Sequence, residues 1–269
     1  VEAELPKRDQ LPNDNYRANA TFKVFLKEVS EISRKGPQLF VSRANAGLVV
    51  YLFENEVPEI QEASVKIVAV SREANPPSRA VGPRTKVAVD STEKEVDPVG
   101  ACIGARGARI QQVVNELRGE KIDVIKWSPD PIQYILNSLS PAKVDLVRLV
   151  DPEGQHAHVL VPPDQLSLAI GREGQNVRLA ARLTGWKIDV KNSHEYDQES
   201  EDAIVAELIS QREEEENLQK EAEKRLEAEQ AARAEEDARL RELYPLPEDD
   251  EDFVDTIDED NVSQEERTR

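Results

Sequence analysis

Apolar residues along this chain change their spacing in a repeating order. Ile110, Val113, Val114 and Leu117 fall at the three- and four-residue intervals of one helix face. Directly afterwards KIDVIKW, Lys121 to Trp127, alternates charged with aliphatic side chains, which is a strand pattern. The same switch recurs downstream, where Val177, Ala180, Ala181 and Leu183 precede a second KIDV ending at Val190. Around these two segments, the runs 65–70, 85–89, 144–150 and 158–161 read as strands, and 46–54, 98–103, 131–139 and 165–170 as helices. Asp164, after two prolines, is expected to cap the last of these helices. Near the start, TFKVFLKEV and QLFVSR are strands joined by a turn at Gly36 and Pro37, and KRDQ between Pro6 and Pro12 reads as a loop. Phe22, Phe25 and Phe40 on these strands read as core filling in preference to stacking platforms for bases.

The two helix-then-strand segments are copies of one plan. Each is preceded by a short apolar helix and a Gly-x-x-Gly turn: Gly104, Ala105, Arg106, Gly107 in the first, and Gly171, Arg172, Glu173, Gly174 in the second. The glycines are offset by 67 residues and the KIDV strands by 66, so a one-residue deletion aligns the copies. A lone Gly-x-x-Gly is an ordinary helix corner; two copies in the same context point to a shared chemistry. Glycines at both ends let the backbone turn tightly and let a ligand approach the main chain. The following helix then aims free N–H groups and the positive end of its dipole at that ligand, which suits a phosphate. Arg109, Arg178 and Arg182 on the following helices are candidates for phosphate contacts, and Gln112, Gln175 and Asn176 for phosphates or base edges. Glu173 places a negative charge where the first loop has Arg106, so the second loop is expected to be the weaker.

The runs VDPVGACIGARG, NELRGEKIDVIKW, SLSPAKV and LAIGREGQNVRLAARLTGWKIDV resemble the paired KH domains of the NusA family of bacterial transcription termination and antitermination factors. The resemblance extends from the start to about His194. It implies an α+β chain: the C-terminal part of an OB-fold barrel over 1–43, type II KH domains over 44–127 and 128–194, and a tail over 195–269. It further implies a monomeric, cytoplasmic, non-enzymatic factor that needs no cofactor. Such a factor contacts single-stranded nascent RNA, reaches RNA polymerase through an N-terminal region absent from this sequence, and meets other elongation factors. A ribosome-associated KH adaptor is the alternative. The 73–84 segment, with Pro76, Pro77, Gly82 and Pro83, is longer than the family's usual turn and is expected to be an exposed basic loop carrying Arg72, Arg79 and Arg84 at or near its ends.

Charge sharpens this picture. The chain carries 35 basic and 54 acidic side chains. Residues 1–197 hold 26 and 27 of them, while 198–269 hold 9 and 27, so the acidity belongs to the tail. That tail reads as helical to about Leu243, rich in Glu, Ala, Arg and Leu, and as disordered after Pro245. Cys102 is the only cysteine, which excludes a disulfide framework and a cysteine-based zinc cluster. His156 and His158 have no third His or Cys at metal-ligand spacing, and Trp127 and Trp186 read as packing anchors. No nucleophile elbow or dinucleotide fingerprint is present, and no apolar run reaches membrane-spanning length.

Overall fold

A computed structural model describes residues 2–30, 38–78, 80–197 and scattered positions between 199 and 225. The Gly36 turn, Arg79 and the tail past 225 lie outside them; the described positions from 199 to 225 are helical. The strands and helices up to residue 192 belong to one compact unit, Val1–Glu207.

The chain opens with β1 (Ala3–Glu4), β2 (Phe25–Ser30) and β3 (Gln38–Ser42), with β3 in the middle, parallel to β1 and antiparallel to β2. The first strand expected, from Thr21, starts only at Phe25, and KRDQ contains a single 3-10 turn, Lys7–Asp9. Arg43 fastens this sheet to the first of the two duplicated units. Its side chain and that of Asp14 are both excluded from solvent, with Arg43 Nε 2.8 Å from the Asp14 carboxylate. Nη1 donates to the Lys23 carbonyl and to Glu116, and Nη2 to the Glu116 carbonyl, so the five-donor fork is largely used. Phe22 stacks tilted on Tyr16 at 5.0 Å and lies under the Arg43 guanidinium, while Phe25 packs on the neighbouring core. A Cβ on Gly47 would run into the Phe25 ring, which makes that glycine the contact point between sheet and helix.

Next come α1 (Ala46–Glu56), α2 (Pro58–Gln61), β4 (Val65–Glu73), β5 (Arg84–Ser91), α3 (Pro98–Ile103), α4 (Ala108–Glu116) and β6 (Lys121–Lys126). The second unit repeats the order with α5 (Pro131–Ser138), β7 (Leu146–Asp151), β8 (His156–Val161), α6 (Pro163–Ile170), α7 (Gln175–Thr184) and β9 (Lys187–Asn192). Both sheets have the same pattern: an antiparallel pair, β4–β5 or β7–β8, extended by a parallel strand, β6 or β9. Asp97 and Asp130 cap their helices ahead of a proline in the first turn. Asp164 does not cap α6. Pro162 holds the cap position, Pro163 fills the first turn where its missing N–H costs nothing, and the Asp164 carboxylate accepts from Gln165.

Each sheet buries one face under its own helices: Val87 and Val89 with Val113 and Leu117 in the first unit, Ala157, Val159 and Val161 with Ala180 in the second. Because side chains alternate across a strand, the outer face of the first sheet carries Ala69, Ser71, Glu73, Arg84, Lys86, Ala88, Asp123 and Ile125. That face is where the second unit sits. Ala88 and Ile125 pack with Tyr134 and Leu183, and Trp127 lies against them as an anchor. At the polar end, the fully buried Lys86 side chain donates to the Ser140 carbonyl at 2.9 Å and lies 3.3 Å from Asp123. Burial pushes the Lys86 ammonium down to about 8.

The expected loop at 73–84 is shorter and better tethered than its composition indicates. β4 runs on to Glu73, Ala74 and Val81 are buried, and Asn75 Nδ2 donates to the carbonyls of Arg8 and Gln10. Arg72 is not available to a ligand, since its side chain is buried against both oxygens of the buried Glu120. Arg84 is half-buried and pairs with Asp123 at 2.8 Å.

The Arg43 junction gives the first expected outcome. Arg43→Met leaves the Asp14 carboxylate with only the Tyr16 hydroxyl at 3.0 Å and Arg118 at 3.7 Å and should cost about 3 kcal/mol in urea unfolding, whereas adding Asp14→Leu should recover much of that loss.

Candidate nucleic-acid interface

The two Gly loops have the same backbone. Gly104 and Gly171 take φ/ψ of 72/172° and 76/172°, a region that only glycine enters readily. Arg106 and Glu173, at φ 54° and 50°, and Gly107 and Gly174, at φ 78° and 72°, are left-handed before α4 and α7 begin. A helical residue followed by a left-handed one turns consecutive N–H groups toward one point, forming an anion-binding concavity. Neither Gly107 nor Gly174 has a side-chain cap for the helix it opens. The carbonyls of Gly104 and Ala105 take the Gly107 and Ala108 amides, and those of Gly171 and Arg172 take the Gly174 and Gln175 amides, which leaves only the remaining amides of each loop and first turn to face an anion. Ala105, Arg106, Arg172 and Glu173 are all exposed at the loop tips.

Several expected contact residues do a different job. Arg109 Nη1 donates to the Ala101 carbonyl at 2.7 Å and lies 2.8 Å from Glu59, so it braces α3 against α4. Asn176, the equivalent position at the offset of 67, donates to the carbonyls of Leu139, Leu168 and Ala169 and is 1% exposed. The helix crossing at the Gly turn leaves carbonyls without partners, and these donors satisfy them; for Asn176, which is buried, this corrects the expectation of an RNA contact. The first glycine of each loop makes room for its brace. A Cβ on Gly104 would meet Arg109 Cγ at 2.7 Å, and one on Gly171 the Asn176 backbone nitrogen at 2.8 Å.

Gln175, Arg178 and Arg182 are likewise turned inward, toward the first unit. Gln175 is buried and donates to Glu73 and, at 3.0 Å, to the Gly82 carbonyl. Arg178 grips Glu73 with Nε at 2.6 Å and Nη2 at 3.0 Å, and Arg182 Nη1 lies 3.1 Å from the same carboxylate. Arg178 Nη1 also donates to the Glu173 carbonyl at 3.0 Å, so one guanidinium ties the inter-unit contact to the second Gly loop. These hydrogen bonds, Arg178 foremost, hold the Glu73 carboxyl below its ordinary value, against the opposing effect of its burial. Sequence reasoning missed Glu73. The available signal was the alternation of small and polar residues, Ala69, Ser71 and Glu73, which continues strand β4 beyond its apolar run.

Exposed polar groups line two clefts, one beside the second Gly loop and one along the C-terminal half of α4, away from the loops. One of about 390 Å³ joins Gly171, Arg172 and Ser167 to Val81, Arg84 and Lys121 of the first unit. Another of about 280 Å³ places Gln112 beside Lys23, Asn115 and Arg118. Arg106, Arg172 and Lys121 stand exposed beside the loops.

Comparison with known proteins agrees with this geometry. Residues 43–127 match the NusA-like first KH domain and residues 131–198 the NusA-like second KH domain. The chain is 51% identical over 195 residues to a protein of Halalkalibacterium halodurans, covering 72% of this chain and 49% of that one. It is 50% identical over 192 residues to one of Bacillus subtilis (71% and 49%) and 51% identical over 187 residues to one of Thermus thermophilus (70% and 46%). All three are named transcription termination/antitermination protein NusA. The chain spans about half the length of these relatives.

Two substitutions probe the loop and its tether. Gly171→Ala should destabilise the second unit by about 2–3 kcal/mol, since it clashes with backbone at a positive φ, while Gly174→Asn should cost under about 1 kcal/mol. Glu73→Gln should cost about 2 kcal/mol at neutral pH. A depressed carboxyl stabilises above its unfolded value and ceases to as pH falls through its folded value. The gap between wild type and Glu73→Gln in urea unfolding should therefore be full at pH 7 and close progressively below 4.5.

Proposed function

The chain belongs to the NusA family, represented here by its first and second KH domains, and we propose that it binds single-stranded nascent RNA along the two Gly loops and so modulates transcription at RNA polymerase. The single observation that supports this reading is the doubled loop: two matching backbone concavities, each opening an uncapped helix, held on one body. Phosphates dock on the loop amides and on Arg106 and Arg172, and bases flanking the second loop lie in the cleft beside it. In this reading pausing, termination and antitermination change because RNA leaving polymerase in the bacterial cytoplasm is captured. Contact with RNA polymerase and with other elongation factors is part of the same proposal.

Gln112 is an RNA contact in this proposal; Arg109, Gln175, Asn176, Arg178 and Arg182 shape the loops. The second loop is the weaker one, because Glu173 opposes the approach of a phosphate where Arg106 favours it.

Replacing the inner residues of each loop with Asp-Asp tests the proposal cleanly. Asp tolerates the left-handed second position, so repulsion is added with little strain. Each replacement should weaken binding of a short single-stranded RNA at least tenfold and flatten the salt dependence; unchanged affinity and slope would overturn the reading. Glu173→Lys should tighten binding about two- to fivefold, as a long cationic side chain already occupies that φ in the first loop.

A further inference from the structure

The duplicated sheets allow a comparison between their outer faces. In the first sheet Asp123 on β6 lies between two cations of β5: Arg84 Nε at 2.8 Å and Lys86 Nζ at 3.3 Å. The strand registers are equivalent. Arg84 pairs with Lys121 and Lys86 with Asp123, while His156 pairs with Lys187 and His158 with Asp189. His156 thus stands where Arg84 stood, His158 where Lys86 stood, and Asp189 where Asp123 stood. The second copy keeps the carboxylate and exchanges a guanidinium and an ammonium for two imidazoles.

That exchange changes what the triangle can hold. Guanidinium and ammonium have no lone pair to give, whereas imidazole is the commonest protein ligand for transition metals. His156 Nε2 lies 2.7 Å from Asp189 Oδ2, the two rings meet edge to face at 5.3 Å, and one ligand atom from each of the three residues lies within 4.8 Å of the others. His156 and His158 are 8% and 3% exposed, so their hydration is already lost, while the Asp189 side chain, 42% exposed, leaves an entry path. The Tyr196 hydroxyl sits 3.4 Å from His158 Nδ1 and orients that ring, as outer partners of metal-bound histidines do. Arg148, paired with His158 across the ladder, is bonded to Asp202 at 2.6 Å and to Tyr196, and Lys187, the ladder partner of His156, is on the exposed strand end.

We propose that His156, His158 and Asp189 form a binding site for a divalent transition metal, with zinc the best match to two imidazoles, one carboxylate and a water. The ion supplies the positive charge that Arg84 and Lys86 supply in the first copy. The site is separate from the Gly loops. It lies on the sheet face opposite the helices, because the alternate residues Ala157, Val159 and Ile188 are the ones packed beneath them.

The test titrates the whole metal-free chain with Zn2+ against a chromophoric chelator, and with Co2+ while recording visible absorption. Wild type should take one tight equivalent, with Co2+ bands characteristic of four- or five-coordination. Asp189→Asn and His158→Asn should each weaken that equivalent at least tenfold. Weak binding by acidic groups of the tail should persist equally in all three. Cys102 does not compete, since it is buried and its thiol is pushed up to about 12. Asp189 is partly exposed, so Asp189→Asn carries the test even if His158→Asn fails to fold. No tight equivalent in wild type, or one that Asp189→Asn leaves unchanged, would overturn the proposal.

Discussion

The carboxylate of Glu73 is the constraint on which the rest of the structure depends. It stands at the end of β4, accepts from Gln175 and Arg178 and pairs with Arg182. Arg178 passes the constraint on to the second Gly loop through the Glu173 carbonyl. Tandem domains joined by a short connection are free to rock unless an interface stops them. Here the outer face of the first sheet is filled by the second unit's helices, apolar where Ala88 and Ile125 meet Leu183 and charged where Glu73 meets the arginines. The charged end gives direction, since a carboxylate gripped by a guanidinium fork admits few orientations.

This division of labour explains why basic residues near the loops are not interchangeable. Arg109, Arg178 and Arg182 each pair with a carboxylate of the protein while keeping a third to a half of the side chain exposed. Arg106 and Arg172 project from the loop tips, where charge is offered outward. A clamp made of backbone amides needs a rigid frame more than it needs many cations, because the amides bind only if their directions are already set.

Much of this is legible in the sequence. The Gly-x-x-Gly repeat, the helix periodicity after it and the KIDV strands lie where spacing puts them, because local patterns of period two and 3.6 determine such elements directly. Residues 98–103 form the helix expected of them. What escapes is long-range. Arg178 resembles a phosphate ligand in sequence, and its pairing with Glu73, 105 positions earlier, could not be read there. Asn176 reads as polar and therefore outward, but helix crossings bury carbonyls that need donors. Asp164 fails as a cap because Pro163 takes the first helical position more favourably. The prolines of the 73–84 segment suggest mobility, while its tethers through Asn75 depend on a segment over 60 residues away.

If Glu73 makes one binding body of two, affinity should depend on RNA length in a particular way. Measured over single-stranded RNAs lengthened one nucleotide at a time, wild-type affinity should rise steeply once the chain engages both loops and then level off. In Glu73→Ala that rise should be shallower, because the second loop is no longer held at a fixed span. A smooth, gradual gain in wild type, unaltered by Glu73→Ala, would contradict the account.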